Sequence, residues 1–376
     1  MSEPRPRARE VGIRLGLLPT GTRNAITDVA GVRVGQATII RGEGKLVPGQ
    51  GPVRTGVTAI LPHGGDLFMD KVVARVETIN GFGEVANALQ VNEMGWLEGP
   101  IMLTNTLNVG AVSDYVMQWA MERSDAMGVT TWGISPVVSE TFDGSLNDIR
   151  GRHVKFEHVL QAIETARDGP VEEGTVGGGT GMTCYGFKGG TGTASRVVSV
   201  EHGDSIQSWI VGVLVQSNFG SRELLMIDGV PVGRELRDWQ PELPVPPKEG
   251  SIVMVMATDA PLDFRQLGRV ARRCGAGLAR TGSIYGNTSG DFVIAFSTAN
   301  KVPHEASGLT RTIEVINEES VTPINALFQA AAEATEEAIV NSLFKATTVI
   351  GRDGNTRHAL PLELTLDIMR RYGGIA

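Results

Sequence analysis

The chain has 376 residues, 41% hydrophobic and 20% charged, which excludes a disordered protein and suffices for a large core, about two domains' worth by length alone. With 34 Lys and Arg against 42 Asp and Glu, the net charge is −8. That mild acidity argues against a dedicated nucleic-acid surface.

The opening, "MSEPRPRARE", is polar and lacks the apolar core of a signal peptide, and no apolar run approaches the roughly 20 residues of a membrane span. The expectation is a cytoplasmic protein without a membrane partner, with Arg5, Arg7 and Arg9 in a solvated tail. "GVTAILP" (56–62) and "GPIMLTNT" (99–106) predict buried strands, being short apolar runs bounded by turn residues. A helix is predicted from Val112 to Arg123, with Val112, Val116, Met117 and Ala120 on its apolar face, and a second from Phe156 to Arg167, with Val159, Leu160 and Ile163 inward.

Glycine then fills nine of the 22 positions in "GTVGGGTGMTCYGFKGGTGTAS" (174–195). A Walker A loop fails because Gly189, not Ser or Thr, follows Lys188. A Rossmann loop fails because "RVVSVE" continues as a strand, not a helix. A glycine loop packed close to an active site is the expectation. "SWIVGVLVQSN" (208–218) predicts a strand with a polar tip. Next comes "RDWQPELPVPPKEG", whose four prolines favour extended, exposed chain and read at first as a linker. "SIVMVMAT" (251–258) and "DFVIAFST" (291–298) predict strands, Leu262–Arg280 one helix, and Ile324–Lys345 a long amphipathic helix with Leu327, Phe328, Ala331, Ala334, Ala338 and Ile339 inward. Two packed sheets with helices outside would accommodate so many apolar strands.

Chemistry is narrowed mostly by absences. Cys184 and Cys274 have neither CxxC spacing nor a nearby histidine pair, so they predict buried free thiols and no zinc site. The six histidines are scattered; His153 and His158 lie five apart and lack the glutamate of HExxH. No GxSxG elbow occurs. A Ser-His-Asp triad, which assembles only in space, has nothing in its favour.

Of four Gly-Ser dipeptides, only Gly250-Ser251 follows a proline-rich loop and starts an apolar strand on the serine itself. That context fits self-cleavage. Glycine lacks a Cβ, so the bond can be held strained. Ser251 Oγ can attack the Gly250 carbonyl, and water can hydrolyse the resulting ester. The new terminus would carry an α-amine of pKa about 8 beside its own hydroxyl, so nucleophile and base share one residue.

At this point the chain resembles the DmpA/β-peptidyl aminopeptidase family of self-processing serine aminopeptidases, which includes L-aminopeptidase/D-amidase/esterases. The resemblance spans nearly the whole chain through "NAITDVAGVRVG", "GVTAILPH", "NDIRG", "GGGTGMTCYGFKGGTGTASRVV", "VPVG", "GSIVMVMATDAPL", "SGDFVIAFSTAN" and "EEAIVNSL". It implies an α/β fold, a four-layer αββα sandwich of the N-terminal-nucleophile (Ntn) hydrolase type, formed by residues 1–376 as a single domain and cut into an α-chain 1–250 and a β-chain 251–376. It implies Ser251 as nucleophile, Asn218 as oxyanion-hole amide, Ser289 and Asp291 as residues orienting the nucleophile and its amine, and Glu140 as partner of the substrate's free amino group. Read without the family, Asn218 is a strand-end turn residue, Ser289 and Asp291 a Ser-Gly-Asp turn, and Glu140 a solvated loop carboxylate. Phe142 departs from the pattern, standing where DmpA-type relatives carry tyrosine, which removes a hydrogen-bond donor and bears on rate and substrate range. The implied substrates are short peptides, amino-acid amides or esters, the implied assembly a homotetramer of processed heterodimers, and no cofactor or metal is implied. Two other readings are an acyltransferase of the ornithine-acetyltransferase type, which typically uses threonine as nucleophile, and an uncleaved binding protein on the same scaffold.

Overall fold

A computed structural model describes residues 5–240 and 250–375. The proline-rich stretch ending at Lys248 and Glu249 therefore lies almost wholly outside the described residues.

The main strands form two sheets. One has the order β1 (Arg33–Arg41), β2 (Val53–Leu61), β5 (Ile101–Asn105), β6 (Val137–Thr141). The other has the order β4 (Trp96–Leu97), β3 (Asp70–Gly81), β12 (Gly290–Pro303), β11 (Ser251–Thr258), β10 (Ser205–Asn218), β9 (Gly190–His202). Two short hairpins, β7 (Thr183–Cys184) with β8 (Phe187–Lys188) and β13 (Val349–Ile350) with β14 (Thr356–Arg357), stand apart from these sheets. Helices α2 (Val109–Met121) and α3 (Phe156–Glu164) cover the smaller sheet; α5 (Phe264–Ala271), α6 (Cys274–Arg280) and α7 (Val321–Lys345) cover the larger. Helices α1 (Ala88–Met94), α4 (Val232–Glu235) and α8 (Leu362–Arg371) are peripheral.

Side-chain alternation along the strands builds three apolar layers. On β11, Ile252, Met254 and Met256 join Leu267, Leu278, Ala331 and Ala338 of the helices. Val253, Val255 and Ala257 point the other way, onto Ile60, Ile101, Leu103 and Val137 of the smaller sheet. Beyond that sheet, Val57, Ala59 and Met102 meet Val112, Val116, Val159 and Ile163. Helix, sheet, sheet and helix follow one another as expected.

Several expectations need correction. Met117 is exposed. The segment 262–280 is two helices, because the chain turns at Arg272-Arg273 between α5 and α6. Helix α7 is not amphipathic: every residue from Ala330 to Phe344 is buried. Its polar residues survive burial by pairing. Arg196, itself fully buried, meets Glu333 at 3.2 Å and Glu337 at 2.7 Å, and Arg9 meets Glu337 at 2.8 Å. The three early arginines are thus anchors, not a solvated tail. Arg5 donates to the Phe344 and Leu360 carbonyls at 2.7 Å each, and Arg7 reaches Glu173 at 2.8 Å and the Thr193 carbonyl at 2.6 Å.

Gly192 shows how tightly α7 lies on β9. A Cβ there would stand 2.0 Å from the Ala338 carbonyl oxygen and 2.6 Å from the Ser342 nitrogen, both helix backbone. Gly192→Ala should therefore destabilise the fold by about 1–3 kcal/mol, the usual range for overpacking. Urea denaturation checks this; an unchanged midpoint would show that α7 can move away.

Candidate active site

Ser251 is the first residue of β11, and register carries it to the site. Residues 251, 253 and 255 share a face, so its side chain lies on the face between the sheets. Across the antiparallel ladder Ser251 pairs with Asn218, the last residue of β10. On the other side β11 runs parallel to β12, with Ile252 opposite Asp291. Three strand ends distant in sequence thereby bring Asn218, Ser251 and the Ser289–Asp291 segment together.

Their contacts are specific. Ser289 Oγ reaches two acceptors, the Gly250 carbonyl oxygen and, at 2.7 Å, Asp291 Oδ1, and its single hydrogen serves one of them at a time. The Gly290 backbone N–H donates to Ser251 Oγ at 3.1 Å. Asp291 Oδ2 is buried without a hydrogen-bond partner among the described residues, and burial pushes this carboxyl up to about 6. The Asn218 amide is oriented from both ends. Its Oδ1 accepts from the Thr183 backbone N–H at 2.7 Å, and its Nδ2 donates one hydrogen to the Phe142 carbonyl at 3.1 Å. Only the oxygen can accept from an N–H, so Thr183 decides which way the amide faces.

Gly250 sits where a side chain has no room. A Cβ there would stand 1.8 Å from the Asn218 carbonyl oxygen and 3.1 Å from its Nδ2.

Glu140 belongs to strand β6 and is buried, so it is not a loop carboxylate in solvent. Thr106 Oγ1 and the Glu84 backbone N–H donate to it, and burial raises its pKa. Both donors are neutral, which leaves its charge open to an incoming cation. Phe142 is 39% exposed, its carbonyl engaged by Asn218. Sequence reasoning missed the backbone donors Thr183 and Gly290 and the loop after β3. That loop brings Phe82 and Gly83 against Gly290 and Glu140 and leaves Phe82 61% exposed. Backbone donors carry no sequence signal, and only the glycine content hinted at them. His153 bonds Asp148 at 2.9 Å, while His158 Nδ1 accepts from the Lys155 N–H at 3.0 Å, so these two serve local structure.

With this geometry in place, the comparisons are direct. Residues 24–357 match peptidase family S58, and the chain belongs to that family. The chain is a serine aminopeptidase of the N-terminal-nucleophile type. It is 48% identical to the β-peptidyl aminopeptidase BapA of Sphingosinicella microcystinivorans (99% of this chain, 93% of that one). It is 44% identical to the BapA of Sphingosinicella xenopeptidilytica (97% and 91%). Among solved structures it is similar to the PH0078 protein of Pyrococcus horikoshii OT3, with a TM-score of 0.91, 50% identity and coverage of 98% and 99%. It also resembles the L-aminopeptidase D-Ala-esterase/amidase of Ochrobactrum anthropi, described as a new variant of the Ntn-hydrolase fold, with a TM-score of 0.89, 42% identity and coverage of 99% and 100%. The αββα sandwich is thus of Ntn-hydrolase type.

Asp143, next to Phe142, offers a test of the local electrostatics. It is fully buried, bonded to Thr55 Oγ1 at 2.5 Å and Asn147 Nδ2 at 3.0 Å, and pushed up from 3.8 to about 7 by burial. A carboxyl whose folded pKa is raised contributes stability below its unfolded pKa and loses it as pH climbs through the folded one. Wild-type stability should therefore fall relative to Asp143→Asn between pH 5 and pH 8, by at most about 3 kcal/mol. Urea midpoints of both proteins measured across that range decide it; parallel curves would contradict the shift.

Proposed function

We propose that the chain cuts itself between Gly250 and Ser251 and then removes amino-terminal residues from short peptides, amides or esters through an acyl-enzyme on Ser251. The observation that carries this reading is the seam itself. The Gly250 carbonyl is polarised by the Ser289 hydroxyl, while the adjacent Ser251 hydroxyl is held by the Gly290 N–H. In the first reaction Ser251 Oγ attacks the Gly250 carbonyl carbon, the peptide C–N bond breaks, and the nitrogen leaves as the Ser251 α-amine. Water then hydrolyses the Gly250 ester and regenerates the hydroxyl.

In turnover the amine takes the Ser251 hydroxyl proton as Oγ attacks the substrate carbonyl, and passes it to the leaving amine as the acyl-enzyme forms. Asn218 Nδ2, with one hydrogen still to give, serves the oxyanion. Ser289 and Asp291 orient the nucleophile and its amine, the buried Asp291 carboxylate favouring a nearby ammonium. Glu140 receives the substrate's ammonium, which accounts for exopeptidase action. Phe142 supplies an apolar side chain and no phenol, and shapes the range of acyl groups accepted.

The relatives named for β-peptides favour a second specificity: β-amino residues alongside α-amino ones. Paired kcat/KM values on β-homo-residue and α-residue anilides separate the two. A single domain that stays together after the cut is supported by the strand order, because β11 and β12 sit between β3 and β10. Self-association to a tetramer is supported by the exposed apolar side chains Leu107, Met121, Val129 and Trp132, and light scattering of the purified protein tests it.

Two variants examine the chemistry. Wild type should run as two fragments, and Ser251→Ala as one species of 40.0 kDa without activity. A single active 40.0 kDa wild-type species would sink the cleavage reading. Asn218→Ala should lower kcat by about 10²–10³, the usual effect of losing one oxyanion donor; an undiminished kcat would remove Asn218 from that role.

A further inference from the structure

Lys188 is fully buried in the glycine-rich segment and has no part in the mechanism above. Its Nζ donates to the Gly179 carbonyl at 3.0 Å and the Gly189 carbonyl at 2.6 Å. Those two residues are the ends of a loop, and Nζ ties its neck. Met182 hangs from the same tie, its N–H on the Gly179 carbonyl at 3.3 Å and its own carbonyl on the Gly189 N–H at 3.0 Å. The next residue is Thr183, whose N–H sets the Asn218 amide.

Hairpin β7–β8 completes the device. Cys184 pairs with Phe187, and both turn residues, Tyr185 and Gly186, take positive φ, the pattern of a tight two-residue turn. The Tyr185 N–H bonds the Phe219 carbonyl at 2.6 Å, one residue beyond Asn218.

We propose that Lys188 is a positioning residue for the oxyanion amide: by closing the 179–189 loop it holds the Thr183 N–H against Asn218 Oδ1 and so keeps Nδ2 turned toward the seam. Burial lowers the ammonium to about 7, and protonated or neutral the amine has an N–H for each of the two carbonyls it meets. Without the tie Thr183 is free to withdraw, and the amide can rotate and present its oxygen where a donor is needed. The inference rests on Asn218 acting as oxyanion donor.

The test is a double-mutant cycle on the full chain with an aminoacyl anilide substrate. Lys188→Met keeps the volume and loses the donors; kcat should fall about tenfold or more with KM within about twofold, the mark of an interaction made in the transition state. Because both residues act through one amide, Lys188→Met combined with Asn218→Ala should be no slower than Asn218→Ala alone. Lys188→Gln, which retains N–H donors, should recover part of kcat. A wild-type kcat in folded Lys188→Met, a change confined to KM, or losses that multiply in the double variant would overturn the proposal. Insolubility of both the Met and Gln variants would do the same, by making Lys188 a residue of the fold. Full activity in Asn218→Ala would instead defeat the oxyanion assignment, and this proposal with it.

Discussion

One close approach governs the site: residue 250 lies against the carbonyl of Asn218, where there is no room for a Cβ. It follows from pairing the last residue of β10 with the first of β11. Strand ends are where a ladder frays, yet here the end is clamped from three sides. Ser289 holds the Gly250 carbonyl, Gly290 holds the Ser251 hydroxyl, and Thr183 holds the Asn218 amide. Two of these three donors are backbone N–H groups, which are fixed by the fold and carry no rotamer freedom.

The surrounding polarity is graded. Glu140, Asp143 and Asp291 are buried carboxyls, and burial raises the pKa of each. None is balanced by an arginine, in contrast to Glu333 and Glu337 on the far side of the larger sheet, which face Arg196 and Arg9. Among the described residues, the same kind of group is thus paired with a cation where it supports the fold and left without one near the seam. An uncompensated buried carboxylate favours any cation brought to it, whether a substrate ammonium or the amine of a new chain terminus.

Much of this was legible in the sequence, for definite reasons. The apolar runs at 56–62, 99–106 and 251–258 fall on strands Val53–Leu61, Ile101–Asn105 and Ser251–Thr258 because they are short and bounded by turn residues, and these strands are buried on both faces because both sheets are covered. The Gly-Ser pair stood out through its context, and the motifs around Asn218, Ser289 and Asp291 pointed to residues that the fold does bring together. What escaped was whatever depends on partners. The amphipathic pattern assigned to α7 overlooked that its glutamates are buried against arginines, one of which was assigned to a solvated tail. The break at Arg272-Arg273 leaves no Gly or Pro signature. The crowding at Gly250 escaped too, because crowding by another strand cannot be read from a residue's own neighbours.

The strand order has a consequence for the protein's lifetime. In the larger sheet β12 and β11 are flanked by β3 on one side and β10 on the other, so neither segment separated at residue 250 carries a complete sheet. An intact chain refolds by a first-order process. A chain opened at this seam would have to find its other half again, at a rate set by concentration. Cutting the bond would therefore trade reversibility for chemistry: the folded state would thereafter persist because its unfolding barrier is high, not because it reforms readily. The ladder bonds on both sides of β11 and β12 would then measure how long each molecule lasts.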